Sequence, residues 1–350
     1  MTARNSTALA AIFDGTGKPF RLAELPLPTR LDDGEVLVQL ALGTICGSDL
    51  HTLQGRRMEP TPCVLGHEGV GRVVMAGRGR EAWIGGRVTW TSADSCGRCA
   101  PCTAYDLPQK CEHVFKYGHS PLHDRSGLHG TYASHIVLRR GTHLVPVPDD
   151  FSDAMVAPVN CALATMAAVM EQLPGVCRTA VIQGAGLLGI YGCALLRAAG
   201  VPRVVVVDRD AARLALVPTF GGEPALGSAL NLLGPGGADV VIEVAGAPAV
   251  VDEGMKLLRP GGHYLLVGMV HPDSALHLTG EAIIRKCVTL RGVHNYGPRH
   301  LDTAMAFLGQ QRSLPWSSLV SPPLPLARIE QAVALATTRR WLRVAVQMTP

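Results

Sequence analysis

Charge is scarce in this 350-residue chain: Asp, Glu, Lys and Arg make up 17% of it, and no block of Lys or Arg occurs. With a net charge of +4, no polyanion-binding surface is expected, which excludes nucleic acid as a partner while leaving a small anion compatible. Long apolar runs are missing too. None nears the ~20 residues that span a bilayer. The longest, 185–196, is broken by glycines and stops at Arg197. Residues 8–13 are too short for the apolar stretch of a secretion signal and run into Asp14. They read as a first strand, and the protein is expected to be soluble and cytoplasmic, with no membrane partner. Internal repeats and low-complexity tracts are absent. What is present is apolar bulk, 47% of the residues, together with 39 glycines. That is enough for a full core without disulfide staples.

The length suits about two domains of ~150 residues each. Up to about residue 155, short Val-rich segments separated by glycines predict an all-β region; they lie at 35–42, 71–75 and 87–90. The texture then changes. A helix is predicted over 162–172, followed by short, non-alternating apolar runs at 179–183, 204–208, 238–244 and 263–268. Runs of this kind suit parallel strands covered by helices on both faces. From about residue 300 mixed, Pro-containing sequence returns. The expected class is α/β. A doubly wound Rossmann sheet occupies 161–297, inserted in a mostly-β domain built from 1–160 and 298–350.

The strand at 179–183 leads into Gly184, Ala185, Gly186, Leu187, Leu188 and Gly189, and a helix follows. The next strand ends in Asp208, 19 residues beyond Gly189. This is the dinucleotide fingerprint in its proper context. The glycines permit a tight turn and close backbone approach to a pyrophosphate, the helix N-terminus faces the phosphates, and the acid takes the ribose hydroxyl. Asp208 favours NAD. Arg209 and Arg213 stand where they could reach a 2′-phosphate, so NADP stays open.

Four of the ten cysteines, Cys96, Cys99, Cys102 and Cys111, crowd into sixteen residues. In a reducing compartment such a cluster argues for metal over disulfides. Thiolates at this spacing can close a tetrahedral shell around Zn²⁺ within one lobe, about 93–112. An iron–sulfur cluster uses similar ligands, but nothing else suggests electron transfer. A second, dispersed set comprises Cys46, His67 beside Glu68, and Cys161. Two thiolates, one imidazole and an open position make a catalytic type of zinc shell. Two zinc ions per chain are therefore expected. The remaining Cys63, Cys177, Cys193 and Cys287 read as core residues.

The motifs Cys46-Gly-Ser-Asp-Leu-His51 and Gly66-His-Glu-Gly69, the four-cysteine lobe and the glycine turn occur here in an order that resembles the zinc-dependent medium-chain alcohol dehydrogenases. The likeness covers essentially the whole chain. It implies a GroES-like catalytic domain carrying the structural zinc lobe. It also implies catalytic zinc on Cys46, His67 and Cys161, with Glu68 adjacent and Asp49 orienting His67. Ser48 and His51 are implied as a proton relay through the cofactor ribose. Val244, Val267 and Val293 resemble residues around the cofactor, and Arg343 a pyrophosphate contact. The implied reaction is reversible alcohol oxidation with NAD, in a homo-oligomer. The last lobe spacing is eight residues where seven is usual, so the loop at 103–110 must bulge. Gly47 replaces a basic residue of some members, and Ser92 a pocket phenylalanine.

A narrower likeness, to zinc-binding dehydrogenases associated with phosphonate catabolism, rests on Gly55-Arg56-Arg57, Leu107-Pro-Gln-Lys-Cys111, Lys116-Tyr-Gly-His119 and Pro158-Val-Asn-Cys161. It implies an anionic substrate met by Arg56, Arg57, Lys116 or His119. A polyol dehydrogenase of the sorbitol type is the alternative. A zinc-free reductase on the same scaffold is disfavoured by the Cys46, His67 and Cys161 set, and a non-catalytic NAD(H) sensor by the relay.

Overall fold

The computed structural model describes residues 6–271 and 274–348. The chain divides into two compact units. The first combines Met1–Cys161, Gly297–Met305 and Pro315–Pro350; the second combines Ala162–Tyr296 and Ala306–Leu314. Cys161 stays with its presumed co-ligands, and the division at Met305 falls inside the helix Pro298–Gln310.

In the first unit the long strand Val36–Ile45 is central to a seven-stranded sheet, pairing with Glu68–Ala76, His135–Leu138 and the C-terminal Val344–Gln347. Its residues Val36, Leu37, Val38 and Leu40 are almost wholly buried, as a strand covered on both faces should be. They join Trp90, Tyr117, Tyr132 and Ile136 in one core. A small antiparallel pair, Ala93–Asp94 with Phe115–Lys116, forms the base of the cysteine lobe. The lobe's loop is fixed by Asp106, which takes a left-handed conformation (φ 52°) and accepts a 2.8 Å bond from Arg299.

The second unit holds six parallel strands: β1 (Thr179–Gln183), β2 (Arg203–Asp208), β3 (Glu223–Leu226), β4 (Ala238–Glu243), β5 (Leu258–Leu266) and β6 (Thr289–Gly292). Their order is β3-β2-β1-β4-β5-β6, the doubly wound arrangement whose strand order reverses beside β1. The two edge strands escaped the sequence reading. β3 contains Pro224 and β6 is largely exposed, so neither carries the continuous apolar signal of an inner strand.

Among the described residues one helical stretch, Asp153–Met170, is long and apolar enough to cross a membrane, which the search for apolar runs did not find; 72% of it is buried inside the protein, as in a core helix. Cys63 and Cys193 are core residues as expected. Cys177 is partly exposed and Cys287 is exposed. Cys287 ends the helix Gly280–Lys286 in a left-handed conformation (φ 50°) that turns it out of the core.

Asp239, on β4, anchors the start of β1. Its Oδ2 accepts from the amides of Arg178 and Thr179 at 2.8 and 2.9 Å, and its Oδ1 meets Arg259 at 2.6 Å. Burial works against the charge, but these donors outweigh it and hold the carboxyl below its usual range. A depressed folded pKa contributes stability above the unfolded value that is lost as pH falls through the folded one. Asp239→Asn is therefore expected to destabilise by about 1–3 kcal/mol at neutral pH. Urea unfolding midpoints should show the difference from wild type shrinking as pH drops below 4.

Candidate active site

The first metal centre is assembled by strand register. Thr44 lies opposite Glu68, and Ile45 opposite Val344. The residues that follow or precede these partners, Cys46 and Arg343, are thereby brought together from 297 positions apart. Cys46 is the N-cap of the helix Gly47–Leu53. Asp49, in its first turn, accepts from the Cys46 amide at 2.9 Å and from the Tyr132 hydroxyl at 3.0 Å through Oδ2. Its Oδ1 faces His67 Nδ1 at 3.6 Å. This leaves His67 Nε2 as the ligand nitrogen, the orientation that a carboxylate behind an imidazole imposes. Cys161 sits on a widened helical turn, Val159–Leu163, a geometry that recurs at functional sites. Its neighbour Asn160 donates to the carbonyls of His67 and Trp90 at 3.0 and 2.9 Å, tying that turn to the His67 segment.

Ligand atoms of Cys46, His67, Glu68 and Cys161 lie within 4.8 Å of one another, and the two thiol sulfurs are 4.0 Å apart. Tetrahedral zinc with Zn–S bonds of about 2.3 Å would hold two sulfurs about 3.8 Å apart. The set fits that ion. Glu68 is fully buried and already engaged. Arg343 donates to both carboxylate oxygens at 2.8–3.1 Å, and Thr44 donates at 2.5 Å. Burial raises Glu68 to about 7 against the pull of Arg343. Contact with Cys161, aided by Arg343 and His67, holds the Cys46 thiol well below its ordinary pKa despite burial. Arg343, which the likeness put on a pyrophosphate, here donates to Glu68 and lies 3.4 Å from Cys46 Sγ. It is 7% exposed.

Ser48 and His51 stand three apart on the same short helix, hence on one face. Gly47 is exposed, and a Cβ there would meet nothing within 4 Å. His119 stacks on His67 with centroids 5.8 Å apart, and its Nδ1 lies 2.9 Å from Glu59. Glu59 also pairs with Arg57 at 2.6 Å, so the charge of Arg57, one of the residues expected to meet an anionic substrate, is already matched by a carboxylate. Lys116 is half-buried and has no ion pair among the described residues; burial, Arg57 and Lys110 lower its pKa.

The second centre is the lobe. The four sulfurs of Cys96, Cys99, Cys102 and Cys111 lie within 4.8 Å, with Cys99 3.4 Å from Cys102 and 3.7 Å from Cys111. Amides point inward as well: Cys96 and His113 donate to Cys111 Sγ at 3.2 and 3.3 Å. The Arg98 amide contributes most to lowering Cys96 to about 6. Four soft donors converging in this way fit a closed zinc site.

In the second unit the expected nucleotide residues gather at the C-terminal edge of the sheet. Gly184 has φ +119°, and a Cβ at Gly189 would come within 1.9 Å of the Gly184 carbonyl oxygen. Both positions therefore require glycine. A Cβ at Gly186 would meet nothing within 4 Å, so the turn is open where a ligand would approach. The helix Leu187–Ala198 starts there, and Leu187, Leu188 and Gly189 lie in its first turn, whose amides make no bonds within the helix. This cradle fits a pyrophosphate. Asp208 ends β2 and accepts from the amides of Ala185 and Asp210 at 2.7 and 3.0 Å. Arg209 is exposed, and Arg213 lies 3.6 Å from Asp210. Val244, Val267 and Val293 directly follow β4, β5 and β6. One participant was missed from sequence: Thr44, whose contact with Glu68 depends on strand register.

Two family models cover most of the chain. Residues 32–149 match the alcohol dehydrogenase GroES-like domain, and residues 188–310 the zinc-binding dehydrogenase domain. A probable D-xylulose reductase A of Aspergillus clavatus is 32% identical over 310 residues, spanning 79% of each chain. The chain belongs to the zinc-dependent medium-chain alcohol dehydrogenase family. It is thus an oxidoreductase of the alcohol dehydrogenase class. A sorbitol dehydrogenase of Halalkalibacterium halodurans is 28% identical over 87% of this chain and 89% of its own. An alcohol dehydrogenase structure from Thermotoga maritima superposes with a TM-score of 0.88 at 27% identity, covering 97% of this chain and 99% of its own.

The Arg343–Glu68 pair generates a stability test for this alcohol dehydrogenase. Arg343→Met leaves a buried carboxylate uncompensated and is expected to cost about 3–5 kcal/mol. Adding Glu68→Gln removes the stranded charge, so the double variant should unfold at higher urea than the single one. Equal midpoints for the two would show that the pair is not coupled.

Proposed function

We propose that the protein oxidises a polyol or other secondary alcohol reversibly to the ketone, with NAD as hydride acceptor. The observation that carries this reading is the position left beside Cys46, His67 and Cys161 while Arg343 and Thr44 hold Glu68. Bound in their sites, zinc supplies Lewis acidity and NAD supplies a hydride acceptor. Cys46, His67 and Cys161 would hold the zinc, and Asp49 keeps the His67 ring in place. Ser48 Oγ takes the alcohol proton, and His51 releases it to solvent. Gly184, Gly186 and Gly189, with the first-turn amides after them, take the pyrophosphate, and Asp208 takes the ribose hydroxyl. The xylulose reductase and sorbitol dehydrogenase names of the relatives support a polyol substrate.

A second reading, an anionic substrate such as a hydroxyalkylphosphonate, is favoured by the unpaired Lys116. An ammonium strengthens hydrogen bonds to phosphonate oxygens. Comparing kcat/KM for sugar alcohols, hydroxyalkylphosphonates and neutral alcohols of matched length separates the two. Sugar alcohols are expected to lead, whereas preference for the phosphonate with its loss in Lys116→Ala would establish the second reading. A zinc-replete enzyme forming NADH from none of these would overturn both.

Cofactor choice gives a further check. Asp208→Ala is expected to raise KM for NAD by about tenfold or more, through loss of a charge-assisted hydrogen bond, and to improve NADP relative to NAD. A wild type already preferring NADP would mean that Arg209 or Arg213 decides the matter.

A further inference from the structure

Glu243 ends β4 and is fully buried, away from both cysteine-containing clusters in sequence. Its side chain accepts from the Gly246 amide at 2.5 Å and the Gly268 amide at 3.0 Å, and the amides of Ala245 and Ala247 also face it. Its backbone carbonyl accepts from the amides of Val267 and Gly268 at 3.0 and 3.1 Å. One residue thereby ties together the segments that leave β4 and β5. These segments begin with Val244 and Val267. The packing has no slack: a Cβ on Gly268 would come within 2.7 Å of the Gly246 nitrogen, 2.8 Å of the Val244 carbonyl carbon and 3.0 Å of Glu243 Oε1.

Sheet order says what these segments face. Asp208 ends β2 on one side of β1, and β4 and β5 lie on the other. A dinucleotide laid across the point of reversal, with its pyrophosphate on the β1 turn and one ribose on Asp208, extends its other half over β4 and β5. We infer that Glu243 is a positioning residue for the nicotinamide half of the cofactor: its carboxylate gathers the converging amides and so fixes the two segments beneath that half. The inference rests on the dinucleotide reading above. A buried carboxylate is costly unless backbone amides satisfy it, and here they do. Burial still raises its pKa against their pull.

The test compares NAD with AMP, which carries only the half that Asp208 and the glycine turn would hold, by calorimetric titration of the zinc-replete protein. Glu243→Gln keeps the size but turns an amide donor toward backbone N–H groups. It is expected to weaken NAD about tenfold or more while changing AMP less than about twofold, with KM for NAD rising more than kcat falls. If Glu243→Gln does not fold, Gly268→Ala displaces the same segments without removing the charge and should show the same selective loss. Equal weakening of NAD and AMP would mean general damage and overturn the inference, as would an unchanged NAD affinity. A wild type that binds neither nucleotide would instead overturn the dinucleotide reading itself.

Discussion

A carboxylate with no exposure, set beside two thiols, requires a cation in contact with it, and in this fold the cation comes from the far end of the chain. Arg343 reaches Glu68 because Val344–Gln347 runs antiparallel to Val36–Ile45, which in turn pairs with Glu68–Ala76. Three adjacent strands thus present Arg343, Cys46 and Glu68 in a row. The same guanidinium compensates Glu68 and lies 3.4 Å from Cys46 Sγ. Truncating the C-terminal strand would leave a buried negative cluster uncompensated, a state that costs several kcal/mol. Charge balance in this cluster and completion of the sheet consequently depend on the same strand.

The two ligand clusters solve opposite problems with similar atoms. In the lobe all four donors come from sixteen consecutive residues, so the shell can close without the rest of the fold, and inward-facing amides stabilise the sulfurs. At the other centre the donors come from a helix cap, a strand start and a widened helical turn. Each needs separate support, which Asp49, Tyr132 and Asn160 provide. The prospective fourth donor, Glu68, is drawn toward Arg343 and Thr44. Saturation gives a structural site, whereas three ligands and a restrained fourth give a position for substrate.

Features encoded over short spans were legible in the sequence. The lobe spacing, the glycine turn with Asp208, and the inner apolar strands are local patterns, and the structure brings each set together. Features set by strand register or distant packing were not. The pairing of Arg343 with Glu68, the neutralisation of Arg57 by Glu59, and the hold of Glu243 on two neighbouring turns all depend on contacts that no spacing reveals. Edge strands β3 and β6 lack the apolar run that marked their neighbours. Cys287 looked like a core thiol by composition, but the left-handed end of its helix turns it outward.

One chain is expected to carry both a closed and an open zinc centre. Anomalous diffraction at the zinc edge from crystals of the zinc-replete protein tests it most directly. Two peaks are expected, one among Cys96, Cys99, Cys102 and Cys111, and one about 2.3 Å from the sulfurs of Cys46 and Cys161 and about 2.0–2.1 Å from His67. A single peak confined to the lobe would contradict that expectation.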